Sequence, residues 1–279
     1  MKNNKIVNPF DVENTRYYHY TSLDALAGGI ILPEPLPPID NPPYNPDISQ
    51  AQQVCLWASD SRYMNDKDEC RFGLKIISSL KTKFPALDFS LLNQPASTAF
   101  ISFSQTLDSL PMWNMYGRNG SGVMLGFNSL SGAFAYNKEG RIIPNWIKCE
   151  YCKTKRYNRS AYITKIIENL TLLRDIAGLN NPKLVANTLS GIVATIKRDE
   201  YEYENEIRLV LHDVNYKYRV SNNIIVPYIP VYFHKLQLCE IWIGPTQDQD
   251  RSAESLRMFL DSRGFEHVVI KKSGIPYRG

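Results

Sequence analysis

The sequence predicts a single α+β domain over residues 1–279, with a mixed or antiparallel sheet and a helical insertion. Strand-like and helix-like stretches do not alternate regularly, which is typical of α+β proteins rather than of doubly wound sheets. Apolar residues at helical spacing indicate helices over much of residues 158–198, the predicted insertion. Residues 32–48 are rich in proline and are predicted to form an extended surface loop.

The remaining elements follow from short patterns of apolar residues and helix-end signals. The strand RYYHYTS precedes a helix, LDALAGG, that Thr21 or Ser22 can cap and that Gly28 and Gly29 are expected to end. We expect VMLGFN and IKCEYC to be adjacent strands. Further strands are predicted at VCLWASD, STAFISFSQ, YENEIRLVLHD, LCEIWIGP and HVVIKKS, and further helices after SRYMNDKDE, at SLPMWNMY and at DQDRSAESLRMFLDSRG.

Composition excludes several classes of protein. With 43% hydrophobic and 22% charged residues the chain can bury a sizeable core, and its net charge of +4 does not by itself indicate nucleic-acid binding. The sequence lacks a P-loop and a GxGxxG motif, which disfavours simple nucleotide hydrolases and Rossmann dehydrogenases. No apolar run is long enough to span a membrane and the N-terminus has no signal-peptide pattern, so we expect a cytoplasmic protein without a membrane partner.

Cysteine usage also indicates a cytoplasmic protein. Five cysteines are an odd number without framework spacing, which is typical of reduced thiols. Cys149 and Cys152 form a lone CxxC with no second pair nearby, so we expect no metal site.

The first candidate functional residue is His19. On a strand, His19 and Thr21 share one face while Tyr18 and Tyr20 share the other. The pair of donors and acceptors on the first face could hold a ribose hydroxyl or a carboxamide. A histidine near a strand end is also often purely structural, and both interpretations stay open.

The second candidate is a pair of acidic residues. On a strand, Glu204 and Glu206 would share one face with Arg208, which could hold one carboxylate ionised. Because the strand then becomes apolar, the pair is typical of the rim of a cleft. The alternative is a surface strand on which Glu206 pairs with a lysine or an arginine.

Two further stretches add candidates. In MWNMYGRNGSG we expect Trp113 to lie in the core and Tyr116 to offer a stacking surface for a flat ring, with the glycine-rich turn allowing a ligand close to the backbone. The alternative is an aromatic helix packed on the core and followed by a hairpin turn. Ser102 and Ser104 share a strand face and could shape a pocket, although paired hydroxyls also occur on any half-buried sheet.

Several of these stretches together resemble a bacterial family, domain-of-unknown-function family 2971. The resemblance is carried by YHYTS, MNDKDE, FISFSQ, MWNMYG with GVMLGF, YENEIRLV and the ending KSGIPYR, over nearly the whole chain. It implies no biochemical role.

A second resemblance, to the ADP-ribosyltransferase superfamily, does imply one. His19-Tyr20-Thr21 is similar to that family's His-x-Thr motif and Glu204-Asn205-Glu206 to its Glu-x-Glu motif. The resemblance implies a split sheet, NAD as substrate, no metal, and Glu206 with Glu204 as catalytic residues. It assigns NAD binding to residues on three segments: His19, Tyr20, Thr21, Tyr116, Ser102 and Ser104.

The resemblance implies an NAD-dependent ADP-ribosyltransferase, as in a bacterial toxin or anti-phage effector that could have an antitoxin or another protein partner. A basic stretch with interleaved tyrosines could bind an RNA or DNA acceptor through Lys153, Lys155, Arg156 and Arg159. A solvated loop is the alternative for that stretch. Two other functions stay open: a nucleic-acid-binding or regulatory module without NAD chemistry, and a hydrolase that uses the two glutamates.

Overall fold

A computed structural model describes most of the chain. The described residues are 15–32, 54–64, 69–82, 90, 98–137, 140–152, 168, 171, 182–212, 215–221 and 223–276. The predicted proline-rich loop at 32–48 lies almost entirely outside them, and so does much of the predicted insertion at 158–198.

Within the described residues, ten strands form one large mixed sheet. These strands are β1 (Tyr17–Thr21), β2 (Val54–Asp60), β3 (Thr98–Ser104), β4 (Val123–Phe127), β7 (Asn145–Lys148), β10 (Glu206–His212), β11 (Lys217–Ser221), β12 (Ile224–Phe233), β13 (Leu238–Ile243) and β14 (Val269–Lys272). The main path runs β11-β12-β2-β3-β1-β4-β13-β14; β10 joins it by pairing with β3, and β7 pairs with β10. Two small sheets pair β5 (Ala135–Asn137) with β6 (Gly140–Ile142), and β8 (Glu150–Cys152) with β9 (Ile196–Arg198).

Helices flank the strands. The described α-helices are α1 (Leu23–Ala25), α2 (Glu69–Ser79), α3 (Leu110–Tyr116), α4 (Pro182–Val193) and α5 (Gln249–Ser262). As predicted, Ser22 caps α1, because its hydroxyl accepts a hydrogen bond from the backbone N–H of Ala25 at 3.1 Å. The chain then continues as a π-helical turn, Leu26–Ile30, so Gly28 and Gly29 lie inside the helical segment instead of ending it.

The chain divides into two compact units, each assembled from non-contiguous segments, with boundaries inside β2, β3 and β12. The first unit comprises residues 1–56, 103–134 and 231–279. One of its cores lies between α3 and β1. It contains the buried side chains of Tyr18, Tyr20, Met112, Trp113 and Met124.

The second unit comprises residues 57–102 and 135–230. One of its core clusters packs α2 against α4 and β9, with Phe72, Ile76, Leu189 and Ile192 among its buried side chains. A smaller cluster on the sheet contains Phe100, Ala194 and Val210. These cores fix the positions of β9 and β10, which carry the acidic candidates.

The predicted combination of a mixed sheet with several helices is confirmed. The prediction that VMLGFN and IKCEYC are neighbours is wrong. Strand β4 pairs with β1 and β13, while IKCEYC divides into β7, which pairs with β10, and β8, which pairs with β9. Short apolar strands give no local signal of their partner, and the partner is set by the packing of the whole sheet.

Candidate functional site

His19 occupies the centre of β1 with the predicted orientation. His19 and Thr21 are partly exposed, whereas Tyr18 and Tyr20 are buried. The alternation of faces is therefore confirmed. The imidazole packs against Phe103 of β3, with ring centroids 5.6 Å apart and the planes at 52°. Nothing in the sequence pattern indicated this aromatic neighbour, because β3 follows β1 by about 80 residues.

Tyr20 points into the core, on the face of β1 opposite to His19. Its ring meets Trp113 edge-on at 4.9 Å, and its hydroxyl accepts a hydrogen bond from the backbone N–H of Ser109 at 3.2 Å. Burial raises the pKa of the Tyr20 hydroxyl to about 12. Trp113 is fully buried, as predicted, and donates its indole N–H to Asp108 at 2.8 Å.

Tyr116, at the end of α3, packs against the same core cluster as Tyr18 and Tyr20. It is partly buried there, so it lies with the tyrosine face of β1 and not with His19 and Thr21. The structure therefore does not bring the predicted stacking residue to the predicted histidine.

The glycine-rich turn after α3 approaches the protein's own backbone. A Cβ on Gly122 would lie 2.3 Å from the carbonyl oxygen of Thr21, closer than any real contact. The sequence predicted that a ligand could approach the backbone at this turn. In the structure, the absence of a side chain at residue 122 serves the packing of the turn against the end of β1.

The two candidate serines are on β3. Ser104 is buried and lies opposite Tyr18, so it belongs to the tyrosine face of β1. Its hydroxyl accepts a hydrogen bond from the backbone N–H of Thr106 at 2.9 Å, which stabilises the turn after the strand. Ser102 shares that face of β3 by alternation and is partly exposed.

Four buried charged residues of the second unit, Lys197, Glu204, Glu206 and Arg208, form what we call the ion cluster. Lys197 Nζ donates to Glu206 Oε2 at 2.7 Å and also forms a close ion pair with Glu204. Arg208 holds Glu206 with two bonds, from Nε to Oε1 at 2.8 Å and from Nη2 to Oε2 at 3.1 Å. Two carboxylates thus meet two cations, and their formal charges balance.

The neighbours of the ion cluster complete its bonding. Arg208 also donates to the backbone carbonyl of Ala194, and its guanidinium lies 4.1 Å from the centre of the Phe100 ring. The backbone N–H of Glu206 donates to the hydroxyl of Tyr151 at 2.8 Å. Each of the four charged residues is at most 4% exposed. Such complete pairing is what burial of charge requires.

The ion cluster determines the protonation of Glu206. Burial by itself raises the pKa of this carboxyl, but the positive charges of Arg208 and Lys197 and their hydrogen bonds outweigh it and hold the pKa at about 2. Glu206 is therefore ionised at neutral pH. The prediction that Arg208 keeps a carboxylate ionised is confirmed.

The predicted common strand face of Glu204 and Glu206 is wrong. Glu204 ends a 3-10 helix, Asp199–Glu204, and β10 begins only at Glu206. Asn205 between them is left-handed, with φ of 42°, which turns the chain. Asparagine is one of the few residues that accept this conformation. The two carboxylates meet because both bind the same ammonium group of Lys197.

Sequence reasoning missed Lys197. It lies on β9 between Ile196 and Arg198, and alternation alone predicts that it points away from both. A lysine directly after the largely apolar stretch GIVATI was the available signal, but it does not identify a partner. The predicted acceptor-binding residues Lys153, Lys155, Arg156 and Arg159 lie outside the described residues.

Two features are absent from the described residues. No group of three or more His, Cys, Asp or Glu side chains is arranged to hold a metal ion there. No described helix combines the length and the apolar character needed to cross a membrane.

No curated protein and no solved structure matches the chain. The sequence model of one family, described as "Protein of unknown function (DUF2971)", matches residues 112–209. This range contains the whole ion cluster and ends one residue after Arg208, whereas the sequence predicted a resemblance over nearly the whole chain. Over residues 112–209, the predicted resemblance to family 2971 is confirmed.

Proposed function

We propose that the chain is an NAD-dependent ADP-ribosyltransferase acting on a macromolecular acceptor, with a nucleic acid favoured as acceptor and a bacterial toxin or anti-phage effector as its biological role. One observation carries the proposal. Glu206 begins a strand and is held ionised by Lys197 and Arg208. The large mixed sheet supports the proposal only at the level of fold class, and the split sheet of ADP-ribosyltransferases is part of what is proposed.

The reaction needs a carboxylate. As the bond between nicotinamide and ribose breaks, its electron pair leaves with nicotinamide and positive charge develops on the ribose. An ionised carboxylate near that charge stabilises the transition state. The acceptor then forms a bond to the same ribose carbon and loses a proton. Glu206 is 4% exposed, so the proposal requires that the groups covering it move when NAD binds.

NAD binding is assigned to His19 and Thr21, which are partly exposed on one face of β1. The positions of Tyr20, Ser104 and Tyr116 give no support to their predicted roles, because all three lie with the tyrosine core of that strand. The proposal therefore retains only His19 and Thr21 as NAD-binding residues of the first unit.

The test is release of nicotinamide from NAD by the purified full chain. Glu206→Gln should reduce this release by about a hundredfold or more, because an amide cannot stabilise developing positive charge. Glu200→Gln is the matched control, since Glu200 is an exposed glutamate of the adjoining 3-10 helix, and it should retain wild-type turnover. Far-UV circular dichroism establishes that both variants are folded. Full turnover in folded Glu206→Gln contradicts the catalytic assignment.

His19→Ala tests the proposed NAD-binding role of His19 separately from catalysis. We expect weaker NAD binding by calorimetry, with the rate at saturating NAD less affected, because His19 is assigned to holding NAD and not to bond cleavage. Equal affinity in the variant and in wild type contradicts this role.

A second candidate is favoured by the burial of the ion cluster. If Glu204 and Glu206 serve only to balance Lys197 and Arg208, the observation that supports NAD chemistry is lost, and the candidate that remains is a nucleic-acid-binding or regulatory module. The wild-type protein should then release no nicotinamide and should bind single-stranded RNA or DNA with an affinity that falls steeply with salt concentration.

A further inference from the structure

Arg219 of β11 lies in a different chemical setting from that of the ion cluster. Its Nη2 donates to the hydroxyl of Ser59 at 3.1 Å, and its guanidinium lies 5.3 Å from the centre of the Trp57 ring. Trp57 in turn packs against Tyr228, with ring centroids 5.2 Å apart. We call Arg219, Ser59, Trp57 and Tyr228 the Arg219 site.

Within the described part of the chain, Arg219 pairs with no carboxylate. Its Nε–H is buried and has no acceptor there. Burial lowers the pKa of the guanidinium, and Tyr228 opposes this effect. A buried donor without an acceptor is unfavourable, so the site is incomplete as it stands.

The surroundings of Arg219 are positively charged. Lys217 is exposed, lies two residues away on the same face of β11 and pairs with Tyr228 in the sheet register. Asp60 follows Ser59 but points to the opposite face of β2 by alternation. Its carboxylate is bonded twice by Arg62, at 2.9 Å and 2.7 Å, and is not available to Arg219.

We propose that the Arg219 site binds an oxyanion, the phosphate or carboxylate group of a small ligand. The guanidinium provides planar N–H donors suited to such a group, Ser59 positions it, and Lys217 adds favourable charge. Arg219, Trp57 and Tyr228 are all partly exposed although the Nε of Arg219 is buried, so a ligand can approach the guanidinium from the side that faces solvent. The ring of Trp57 supports the guanidinium from one side. This binding site is separate from the proposed NAD chemistry and does not depend on it.

The experiment is a nuclear magnetic resonance titration of the ¹⁵N-labelled full chain with inorganic phosphate and, separately, with acetate, at constant ionic strength. Arg219→Lys identifies the Arg219 Nε–H signal by its loss. We expect phosphate, acetate or both to shift this signal. In Arg219→Gln, the affinity reported by neighbouring backbone amides should fall about tenfold or more.

Arg251→Gln is the matched control, because Arg251 is an exposed arginine of α5 and its loss changes the net charge equally. It should leave the affinity unchanged. A shift with phosphate alone identifies a phosphate site, and a shift with acetate alone identifies a carboxylate site. The absence of a shift with either anion, or an equal loss of affinity in Arg251→Gln, overturns the proposal.

Discussion

Arg208 and Arg219 belong to the same unit and both lie on an aromatic ring, yet their surroundings differ. Arg208 is 1% exposed and binds both oxygens of Glu206. Arg219 is partly exposed, and among the described residues its only hydrogen bond is to Ser59. Arg208 is hydrogen-bonded within the fold, whereas Arg219 has an N–H donor without an acceptor among the described residues.

The two arginines show which charges a fold can bury. A buried cation is stable only with a carboxylate and with acceptors for its remaining N–H groups, and the ion cluster supplies both. Where the carboxylate is missing, the arginine keeps access to water and can bind an anion from outside. We therefore expect opposite consequences when each arginine is replaced by an apolar residue.

The largest effect is expected for Arg208→Met. The substitution leaves Glu206 buried with Lys197 as its remaining cation, which Glu204 also uses, and should destabilise the protein by about 3–5 kcal/mol. Urea unfolding followed by circular dichroism measures this loss. Arg251→Met, at an exposed site, should change stability by less than about 0.5 kcal/mol. A comparably small change in Arg208→Met contradicts a structural role for the ion cluster.

The next effect concerns pH. The pKa of Glu206 is lowered from 4.5 to about 2, so its stabilising contribution is fully present above pH 4.5 and declines as the pH falls towards 2. The contribution amounts to about 3 kcal/mol. Urea unfolding of wild type and Glu206→Gln between pH 6 and pH 2 should give curves of stability against pH that converge in acid. A constant difference in the free energy of unfolding between the two proteins over this pH range contradicts the prediction.

A smaller difference in stability is expected between substitutions of the two aromatic rings that contact the arginines, Phe100 and Trp57. Phe100 is 1% exposed, so Phe100→Leu should cost about 2 kcal/mol in lost burial and cation–π contact. Trp57 is partly exposed, and Trp57→Leu should cost about 1 kcal/mol. Unfolding curves recorded under the same conditions compare the two. A larger loss for Trp57→Leu reverses the ranking of the two regions.

The smallest effect on stability is expected for Arg219→Met. Because the variant removes a buried N–H that lacks an acceptor, stability should stay the same or rise by up to about 1 kcal/mol. The same substitution should abolish the phosphate or acetate response of the Arg219 site. A loss of stability above about 2 kcal/mol shows that Arg219 is bonded within the fold as completely as Arg208.

The sequence predicted those features that depend only on neighbouring residues. The two faces of β1, the cap at Ser22 and the burial of Trp113 follow from alternation, capping and side-chain size, and all three are confirmed. The pairing of Arg208 with Glu206 was also predictable, because the two residues are two positions apart on one strand.

Contacts that depend on chain direction or on tertiary packing were not predictable in this way. The left-handed turn at Asn205 breaks the assumed strand between Glu204 and Glu206. Tyr116 packs on the face of β1 opposite to His19 because α3 covers the tyrosine face. The Arg219 site joins β11 to β2, and no local pattern in either segment identifies the other.

The ion cluster has a consequence for the order of folding. Its ion pairs join Lys197 to glutamates seven and nine residues away, whereas Arg219 and Ser59 are 160 residues apart. Short loops close at lower entropic cost than long ones, so the ion cluster can form before the sheet is complete. Substitutions in the ion cluster should then slow refolding, while substitutions at the Arg219 site should act mainly on the unfolding rate. Stopped-flow measurements of both rates distinguish this order from its reverse, in which charge pairing follows assembly of the sheet.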